Sequence, residues 1–217
     1  MNLRDLLNNI NYSGNMRNID ISSIAHDSRK IARGGLFIAL KGKENDGYDY
    51  IDEAIKNGAA AILANNRKVS ITKDIPIINV ENVRYAMSKI ASNFFNHPSK
   101  NINLIGITGT NGKTSTCYLI NHIFNDNNIS SGSIGTLGYI NPSNIVSTGF
   151  TTPEAIDLQQ MIDTSVKGGL KNIAMEVSSH SIDMHRIEDI DIDIAVFTNL
   201  TPEHLDFHKT MKNYLKI

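Results

Sequence analysis

The sequence predicts an α/β fold of two consecutive domains, the second a mostly parallel sheet with helices on both faces. Short apolar runs alternate with amphipathic stretches at helical spacing, as in such folds. The stretch from His97 to Asn101 interrupts this pattern, because Pro98 disfavours helix at the preceding residue. After it come an apolar run, a glycine-rich turn and a helical stretch. We therefore place an N-terminal α/β domain at residues 1–98 and a central domain at residues 99–217.

The elements of the first domain follow from the spacing of its apolar residues. We predict strands at residues 36–40, 60–63 and 75–80, and helices at residues 50–56 and 83–95. Gly58 is expected to end the first of these helices. In the second helix, Val83, Met87 and Ile90 lie on one face, the spacing of an amphipathic helix.

In the second domain, we predict strands at residues 102–108, 134–140, 172–177 and 194–200, with a loop at 141–146. A helix is expected from residue 113 to about 125. Another extends to residue 166, with Thr152 as N-cap and Pro153 at its first position. Residues 211–217 resemble the opening of a helix without a terminating signal, so we expect the sequence to be part of a longer chain.

Composition limits the classes of function. The chain has 217 residues, 41% hydrophobic and 20% charged, as expected of a soluble globular protein. Its formal net charge of -1 provides no basic surface for nucleic acid or an anionic membrane. Neither a spanning segment nor a signal peptide is evident. The single cysteine, Cys117, fits a reducing cytoplasm, and we interpret it as a small helix residue rather than a nucleophile.

The turn after residue 108 is typical of a phosphate-binding loop. It comprises Gly109, Thr110, Asn111, Gly112, Lys113, Thr114 and Ser115. Backbone N–H groups at a helix N-terminus bind phosphate, Lys113 would contact the outer phosphates, and the Thr114 hydroxyl would hold Mg²⁺. The strict pattern requires glycine where this chain has Ile107, so the loop is a variant. The order strand, loop, helix favours nucleotide binding over a solvated turn.

Further candidates lie at the ends of later strands. Glu176 ends a predicted buried strand, and parallel pairing would place it beside the loop, either as an Mg²⁺ ligand or as a solvated carboxylate. His204 and His208 have the i, i+4 spacing of one helical face, as in a zinc site, but no third ligand is evident. Arg186 suits a carboxylate or phosphate, and its residue type equally fits a plain surface position.

Three polar segments are open to more than one interpretation. Thr151-Thr152-Pro153-Glu154 fits a helix cap, and the same N-terminus can bind an anion. His180 and His185 follow the Glu176 strand and could line an anionic substrate pocket together with Arg186. Asp27-Ser28-Arg29 is, on its own, an ordinary polar turn.

Taken together, these motifs resemble the Mur ligase family, which makes the peptide of bacterial cell walls. The N-terminal segments are Asp27-Ser28-Arg29, Gly35-Leu-Phe-Ile-Ala-Leu40 and Asp46-Gly-Tyr48, and the phosphate loop begins at Gly106. The segments that resemble members adding the third amino acid are Thr151-Thr-Pro-Glu154, Met175-Glu-Val-Ser-Ser-His180 and Phe197-Thr-Asn-Leu-Thr-Pro-Glu-His-Leu-Asp-Phe-His208. The resemblance covers nearly the whole chain.

The resemblance implies roles for individual residues. Ser28 would contact the uridine part of UDP-N-acetylmuramoyl-dipeptide, and Thr151, Thr152, Ser178 and Arg186 would hold its peptide part. Lys113 would bind the ATP phosphates. Thr114, Glu176 and His204 would organise Mg²⁺, with Lys113, Glu176 and His204 as the catalytic set. A carbamylated lysine of the family falls one residue after Ile217, and Lys216 is out of register with it.

The implied activity is ATP-dependent addition of a diamino acid, meso-diaminopimelate or L-lysine, through an acyl phosphate. No nucleic acid or membrane partner is expected, and the sequence leaves the oligomeric state and the choice of diamino acid open. The family's C-terminal domain is not in this sequence, so we expect the chain alone to be inactive. The alternatives are a non-catalytic module binding the UDP-muramoyl peptide or nucleotide, and a generic P-loop ATPase or kinase.

Overall fold

The computed structural model describes residues 1–42, 45–65 and 74–217. These residues divide into two compact units, Met1–Asn96 and His97–Ile217. The division falls two residues before the boundary that the sequence predicts. Within the described ranges, we find no helix of the length and apolar character that a membrane span requires.

The first unit has a mostly parallel sheet. Its helices are α1 (Leu3–Leu6), α2 (Ile51–Asn57) and α3 (Val83–Phe94), and its strands are β1 (Ser13–Gly14), β2 (Ile24–Ala25), β3 (Gly35–Ile38), β4 (Ala59–Asn65) and β5 (Ile77–Val80). Among the described residues the strand order is β1-β5-β4-β3-β2, and β1 alone is antiparallel to its neighbour. Each strand and helix predicted for this unit is confirmed, with boundaries shifted by one or two residues.

The central strands of this unit are buried on both faces. All four residues of β3 are buried, and so is most of β4, which explains their continuous apolar sequence. A 3-10 turn, Gly47–Tyr50, leads into α2, and Gly58 ends that helix with a left-handed backbone. The Asn82 side chain caps α3 by accepting hydrogen bonds from the Arg84 and Tyr85 amides.

The second unit, described in full, is also built on one sheet. Its strands are β6 (Asn103–Thr108), β7 (Ser131–Gly135), β8 (Gly138–Asn141), β9 (Asn144–Val146), β10 (Asn172–Glu176) and β11 (Ile194–Phe197). Its helices are α4 (Lys113–Asp126), α5 (Ala155–Lys167), α6 (Ser179–Asp183), α7 (Leu205–His208) and α8 (Met211–Leu215). The order is β11-β6-β10-β7-β8-β9, with β11, β6, β10 and β7 parallel and β8 and β9 antiparallel.

The predicted strand at 134–140 and the loop at 141–146 are wrong. The apolar run folds back on itself, so that Ile134 of β7 pairs with Tyr139 of β8 across a tight turn. Residues 144–146 then form β9 instead of a loop. Both side chains of this pair are buried, and their cross-strand contact favours the hairpin over one continuous strand.

The predicted N-cap at Thr152 is also wrong. Helix α5 begins at Ala155, and its N-cap is Glu154, whose side chain makes no capping hydrogen bond. The buried Thr152 hydroxyl instead donates to the Glu176 carbonyl at 2.8 Å. The Thr152 hydroxyl, which the local sequence favours as a helix cap, therefore forms a long-range hydrogen bond to the end of β10 instead.

Parallel pairing brings three loops to one edge of the second sheet. Strand β6 lies between β11 and β10, and all three strands run in the same direction. The segments after β6, β10 and β11 therefore leave the sheet side by side. Ligands of open α/β sheets bind at such carboxyl ends.

Candidate functional site

The glycine-rich turn joins β6 to α4 and has the backbone geometry of an anion cradle. Gly109 and Gly112 both have positive φ angles, 128° and 86°, and α4 begins at Lys113. The first N–H groups of an α-helix have no partner within the helix, so those at the start of α4 are suited to a phosphate. The Lys113 ammonium lies across the turn and donates to the carbonyls of Gly109 at 2.7 Å and Thr110 at 2.8 Å.

Glu176 lies against this loop. In the parallel pairing of β10 with β6, Glu176 lies opposite Ile107, and it is only 1% exposed. One carboxylate oxygen accepts a hydrogen bond from the Thr114 hydroxyl at 2.8 Å, and the other accepts from the Thr136 amide at 2.7 Å. The sequence predicts that Glu176 faces the phosphate loop, but not its contact with Thr136, because Thr136 lies in the unpredicted β7–β8 turn.

These oxygen donors fit a magnesium ion. Mg²⁺ prefers hydroxyl and carboxylate oxygens, and it commonly binds one or two carboxylates together with phosphates and water. Thr114 and Glu176 supply such a pair at the mouth of the anion cradle. Among the described residues, no group of three or more His, Cys, Asp or Glu side chains could hold a metal ion. The predicted set contains only two residues of these types, Glu176 and His204, so phosphate and water would supply the remaining ligands.

His180, His204 and His208 form an aromatic cluster. The prediction that His204 and His208 lie on one helical face is wrong. His204 precedes α7 with a left-handed backbone, so it does not lie on a face of that helix. The His180 ring lies 4.9 Å from that of His204 and 5.6 Å from that of His208. Burial lowers the pKa of His180, and the neighbouring histidines lower it further. His180 is therefore mostly neutral at pH 7.

His208 supports the structure of this region. It is buried, and its Nε2 atom lies 2.9 Å from the Ser179 hydroxyl. Its ring stacks on Tyr214, with centroids 4.7 Å apart and planes at 4°. His208 thus connects α6 to α8.

Thr151, Thr152, Ser178 and Arg186 are brought together near Glu176. The Thr152 hydroxyl accepts a hydrogen bond from the Ser178 amide at 3.1 Å. The Thr151 hydroxyl accepts one from the Thr136 hydroxyl, also at 3.1 Å. The Ser178 side chain also caps α6 by accepting from the Ser181 amide. One hydrogen-bonded network therefore joins the segment before α5 to the start of α6.

Arg186 reaches this network from the segment after α6. It donates to the Thr152 carbonyl at 2.8 Å and forms an ion pair with Glu154 at 2.7 Å. Its guanidinium also lies 5.3 Å from the centre of the Phe150 ring. Both side chains of the ion pair are mostly buried, so Arg186 is not a plain surface arginine. The His185 Nδ1 atom lies 3.2 Å from the Glu188 carboxylate.

Ser28 lies in the first unit, after the carboxyl end of β2. Its hydroxyl is buried and donates to Glu53 at 2.6 Å, and Asn57 donates to its carbonyl at 2.9 Å. The neighbouring Arg29 guanidinium lowers the pKa of Asp27 to about 2 through a side-chain hydrogen bond. The structure thus holds the Asp27-Ser28-Arg29 turn in a defined conformation.

The sequence matches two protein-family descriptions. The family described as "Mur ligase middle domain" matches residues 107–217, and "Mur ligase family, catalytic domain" matches residues 20–95. The chain belongs to the Mur ligase family.

Two relatives carry the name UDP-N-acetylmuramoyl-L-alanyl-D-glutamate--2,6-diaminopimelate ligase. The protein from Caldanaerobacter subterraneus subsp. tengcongensis is 47% identical over 100% of this chain and 45% of its own length. The protein from Clostridioides difficile (strain 630) is 43% identical, with the same coverage of each chain. The present chain thus spans about half the length of these Mur ligases.

Solved Mur ligase structures agree with the fold. A structure of a ligase of the same name has a TM-score of 0.76 at 26% identity, covering 90% of this chain and 39% of that one. A MurF ligase from Thermotoga maritima, solved in complex with ADP, has a TM-score of 0.58 at 26% identity, covering 89% of this chain and 41% of its own.

In this Mur ligase, Gly135 leaves the space that the Glu176 carboxylate occupies. A Cβ atom at position 135 would lie 2.2 Å from Glu176 Oε1. We expect Gly135→Ala to displace the carboxylate and to destabilise the fold by about 1–3 kcal/mol. Thermal unfolding measures the loss. Gly168→Ala is the matched control, because Gly168 has a helical backbone and the nearest contact of its added Cβ is 3.2 Å. Equal melting temperatures for the two variants would contradict the prediction.

Cys117 of this Mur ligase is expected to be chemically inert. The residue is buried, and burial, followed by the charge of Glu176, raises its pKa to about 12. At pH 8 the reactive thiolate is then roughly one molecule in 10⁴. We expect no labelling by iodoacetamide in the native protein and complete labelling after denaturation in urea. Rapid native labelling would show that the thiol is accessible.

Proposed function

We propose that this chain is the N-terminal and central part of an ATP-dependent ligase. The ligase adds a diamino acid to UDP-N-acetylmuramoyl-L-alanyl-D-glutamate in peptidoglycan precursor synthesis. The observation that carries the proposal is the contact of Glu176 with Thr114 at the mouth of the phosphate cradle. The names of the relatives support 2,6-diaminopimelate as the added amino acid, ahead of L-lysine.

In the proposed reaction, the terminal D-glutamate carboxylate attacks the γ-phosphorus of ATP, an acyl phosphate forms, and ADP leaves. The amine of the diamino acid then attacks the acyl phosphate, an amide bond forms, and phosphate leaves. Lys113 would neutralise the transferring phosphoryl group, and the N–H groups at the start of α4 would hold the neighbouring phosphates. Thr114 and Glu176 would hold Mg²⁺, which offsets further phosphate charge. His204, in the segment that follows β11 at the same edge of the sheet, would contribute to this site.

The muramoyl peptide would bind at the network around Thr152. We assign Thr151, Thr152, Ser178 and Arg186 to the peptide part and Ser28 to the uridine part. The Thr152 hydroxyl bonds to the Glu176 carbonyl, so this network begins at the residue whose side chain contacts Thr114. Substrate carboxylate and ATP phosphate would therefore approach from neighbouring loops, which favours in-line transfer.

The proposal places the enzyme in the cytoplasm, where ATP and the nucleotide-linked precursor are found. It requires no nucleic acid partner and no membrane insertion. The sheet edge that carries the phosphate loop is the part of the molecule that would do the chemistry.

Calorimetric titration with UDP-N-acetylmuramoyl-L-alanyl-D-glutamate tests the proposal, with the tripeptide form and plain UDP as controls. We expect the dipeptide form to bind more tightly than either control. Binding equal to that of UDP would contradict the peptide assignment. The same titration on a chain extended to the length of the relatives, followed by an assay of phosphate release, separates a ligase from a binding module.

A further inference from the structure

The segment Thr198-Asn199-Leu200-Thr201, which follows β11, holds the phosphate loop from one side. The Thr198 hydroxyl donates to the Asn111 carbonyl at 2.7 Å. The Thr201 amide donates to the Thr110 hydroxyl at 2.9 Å, and that hydroxyl lies 3.2 Å from the Thr201 carbonyl. The 198–201 segment is therefore bonded to both residues at the tip of the loop.

Asn199 makes the central contacts of this segment. Its carbonyl accepts from the Thr110 amide at 2.9 Å. Its side-chain oxygen accepts from the Asn111 amide at 3.0 Å, and its side-chain nitrogen donates to the Asn111 carbonyl at 3.0 Å. The side chain thus bonds both backbone groups of Asn111, as a neighbouring strand would.

The approach is close because residue 109 is glycine. A Cβ atom there would lie 2.2 Å from the Thr198 hydroxyl and 2.8 Å from the Asn199 carbonyl. The glycine that the phosphate-loop pattern requires therefore also admits the 198–201 segment against the loop.

A buried side chain supports the same loop from behind. The Tyr214 hydroxyl lies 3.2 Å from that of Thr110, and both residues are buried. The Thr110 hydroxyl is thus surrounded by Tyr214 and by both backbone groups of Thr201. A group with this many partners in a buried place has a fixed orientation.

These contacts determine which amides face a phosphate. The amides of Thr110 and Asn111 are directed to Asn199. The unpaired amides at the start of α4 are left to face an anion. If Asn111 lost its bonds to Asn199, its amide would no longer have a fixed partner. The nucleotide would then have to order the loop on binding, at a cost in affinity.

We infer that Asn199 is a positioning residue of the phosphate loop, acting with Thr198 to hold Asn111 in its nucleotide-binding conformation. The inference rests on the nucleotide site of the proposed function. Asn199 need not touch the nucleotide. Its contribution is to fix the loop before the nucleotide arrives.

Asn199→Ala tests this in the present chain by titration with MgADP. Loss of the two hydrogen bonds to Asn111 is expected to weaken MgADP binding about tenfold. The Asn111 amide should also exchange its hydrogen at least about tenfold faster in the absence of nucleotide. Asn103→Ala is the matched control. Asn103 lies at the start of β6, at the end of that strand opposite the phosphate loop, and its side chain bonds to that of Asn172 at the start of β10. This variant should leave both quantities unchanged.

Each outcome decides the inference. Weaker MgADP binding with faster Asn111 exchange and unchanged affinity for the UDP-muramoyl dipeptide supports it. Equal MgADP affinity in Asn199→Ala and wild type overturns it. Weaker MgADP binding without faster Asn111 exchange, or an equal loss of affinity for both ligands, overturns it as well. Failure of the wild-type chain to bind MgADP overturns the proposed function as well.

Thr198→Val provides a second variant if Asn199→Ala does not fold. It keeps the shape of the side chain and removes the hydroxyl that donates to Asn111. We expect MgADP binding to weaken about threefold to tenfold, with faster exchange at Asn111. Unchanged values in a folded Thr198→Val would overturn the inference.

Discussion

Replacing Lys113 with alanine is expected to abolish ligase turnover with little effect on folding. The ammonium bonds only to the carbonyls of Gly109 and Thr110 among its observed contacts, so its removal costs the fold little. In the proposed reaction it neutralises the transferring phosphoryl group, and loss of such a charge lowers kcat by on the order of 10³-fold or more. Phosphate release by the ligase at the length of its relatives measures the effect.

Lys167→Ala is the control for this variant. Lys167 is exposed on α5 and pairs with Asp163 at 2.7 Å, an i, i+4 ion pair of small energetic value. It should leave both turnover and the melting temperature nearly unchanged. Turnover of Lys113→Ala at the wild-type level would refute the assignment of the loop to ATP.

Replacing Glu176 with glutamine is expected to have the second-largest effect. The glutamine keeps the size of the side chain and an oxygen for the Thr136 amide, but it removes the negative charge beside Thr114. A carboxylate ligand matters more to Mg²⁺ than an amide, so we expect kcat to fall by on the order of 10²-fold or more. The Mg²⁺ concentration for half-maximal activity should rise as well.

The readout that distinguishes a metal role from a structural one is this Mg²⁺ dependence. Glu188→Gln is the control, because Glu188 is 40% exposed and lies beside His185. A Glu176→Gln ligase with reduced kcat but an unchanged Mg²⁺ requirement would assign Glu176 to the support of Thr114 and Thr136 alone.

The sequence predicts the parts of the site that depend on local order. A strand, a glycine-rich turn and a helix in succession define the phosphate loop, and the structure has β6, the turn and α4 in that order. The place of Glu176 beside Thr114 follows from parallel pairing of two apolar strands. Roles in binding ATP, Mg²⁺ and the muramoyl peptide remain predictions.

The parts that depend on long-range contacts could not be predicted. The sequence of Thr152 and Pro153 fits a helix cap, but the carbonyl of Glu176 competes for the hydroxyl. The run at 134–140 has the length of one strand, and only its packing in the sheet favours a hairpin. The contacts of Asn199 require β11 to lie beside β6, a strand order that the sequence does not specify.

In the proposed function, the ion pair between Arg186 and Glu154 has a consequence for how a charged substrate would be recognised. Because the two opposite charges lie 2.7 Å apart and mostly out of solvent, they cancel each other beyond a short distance. The guanidinium therefore attracts few anions from solution and distinguishes them by the fit of its remaining N–H groups at contact. Recognition at this position should change little with ionic strength, and it should depend on where a carboxylate sits more than on how much charge its carrier bears.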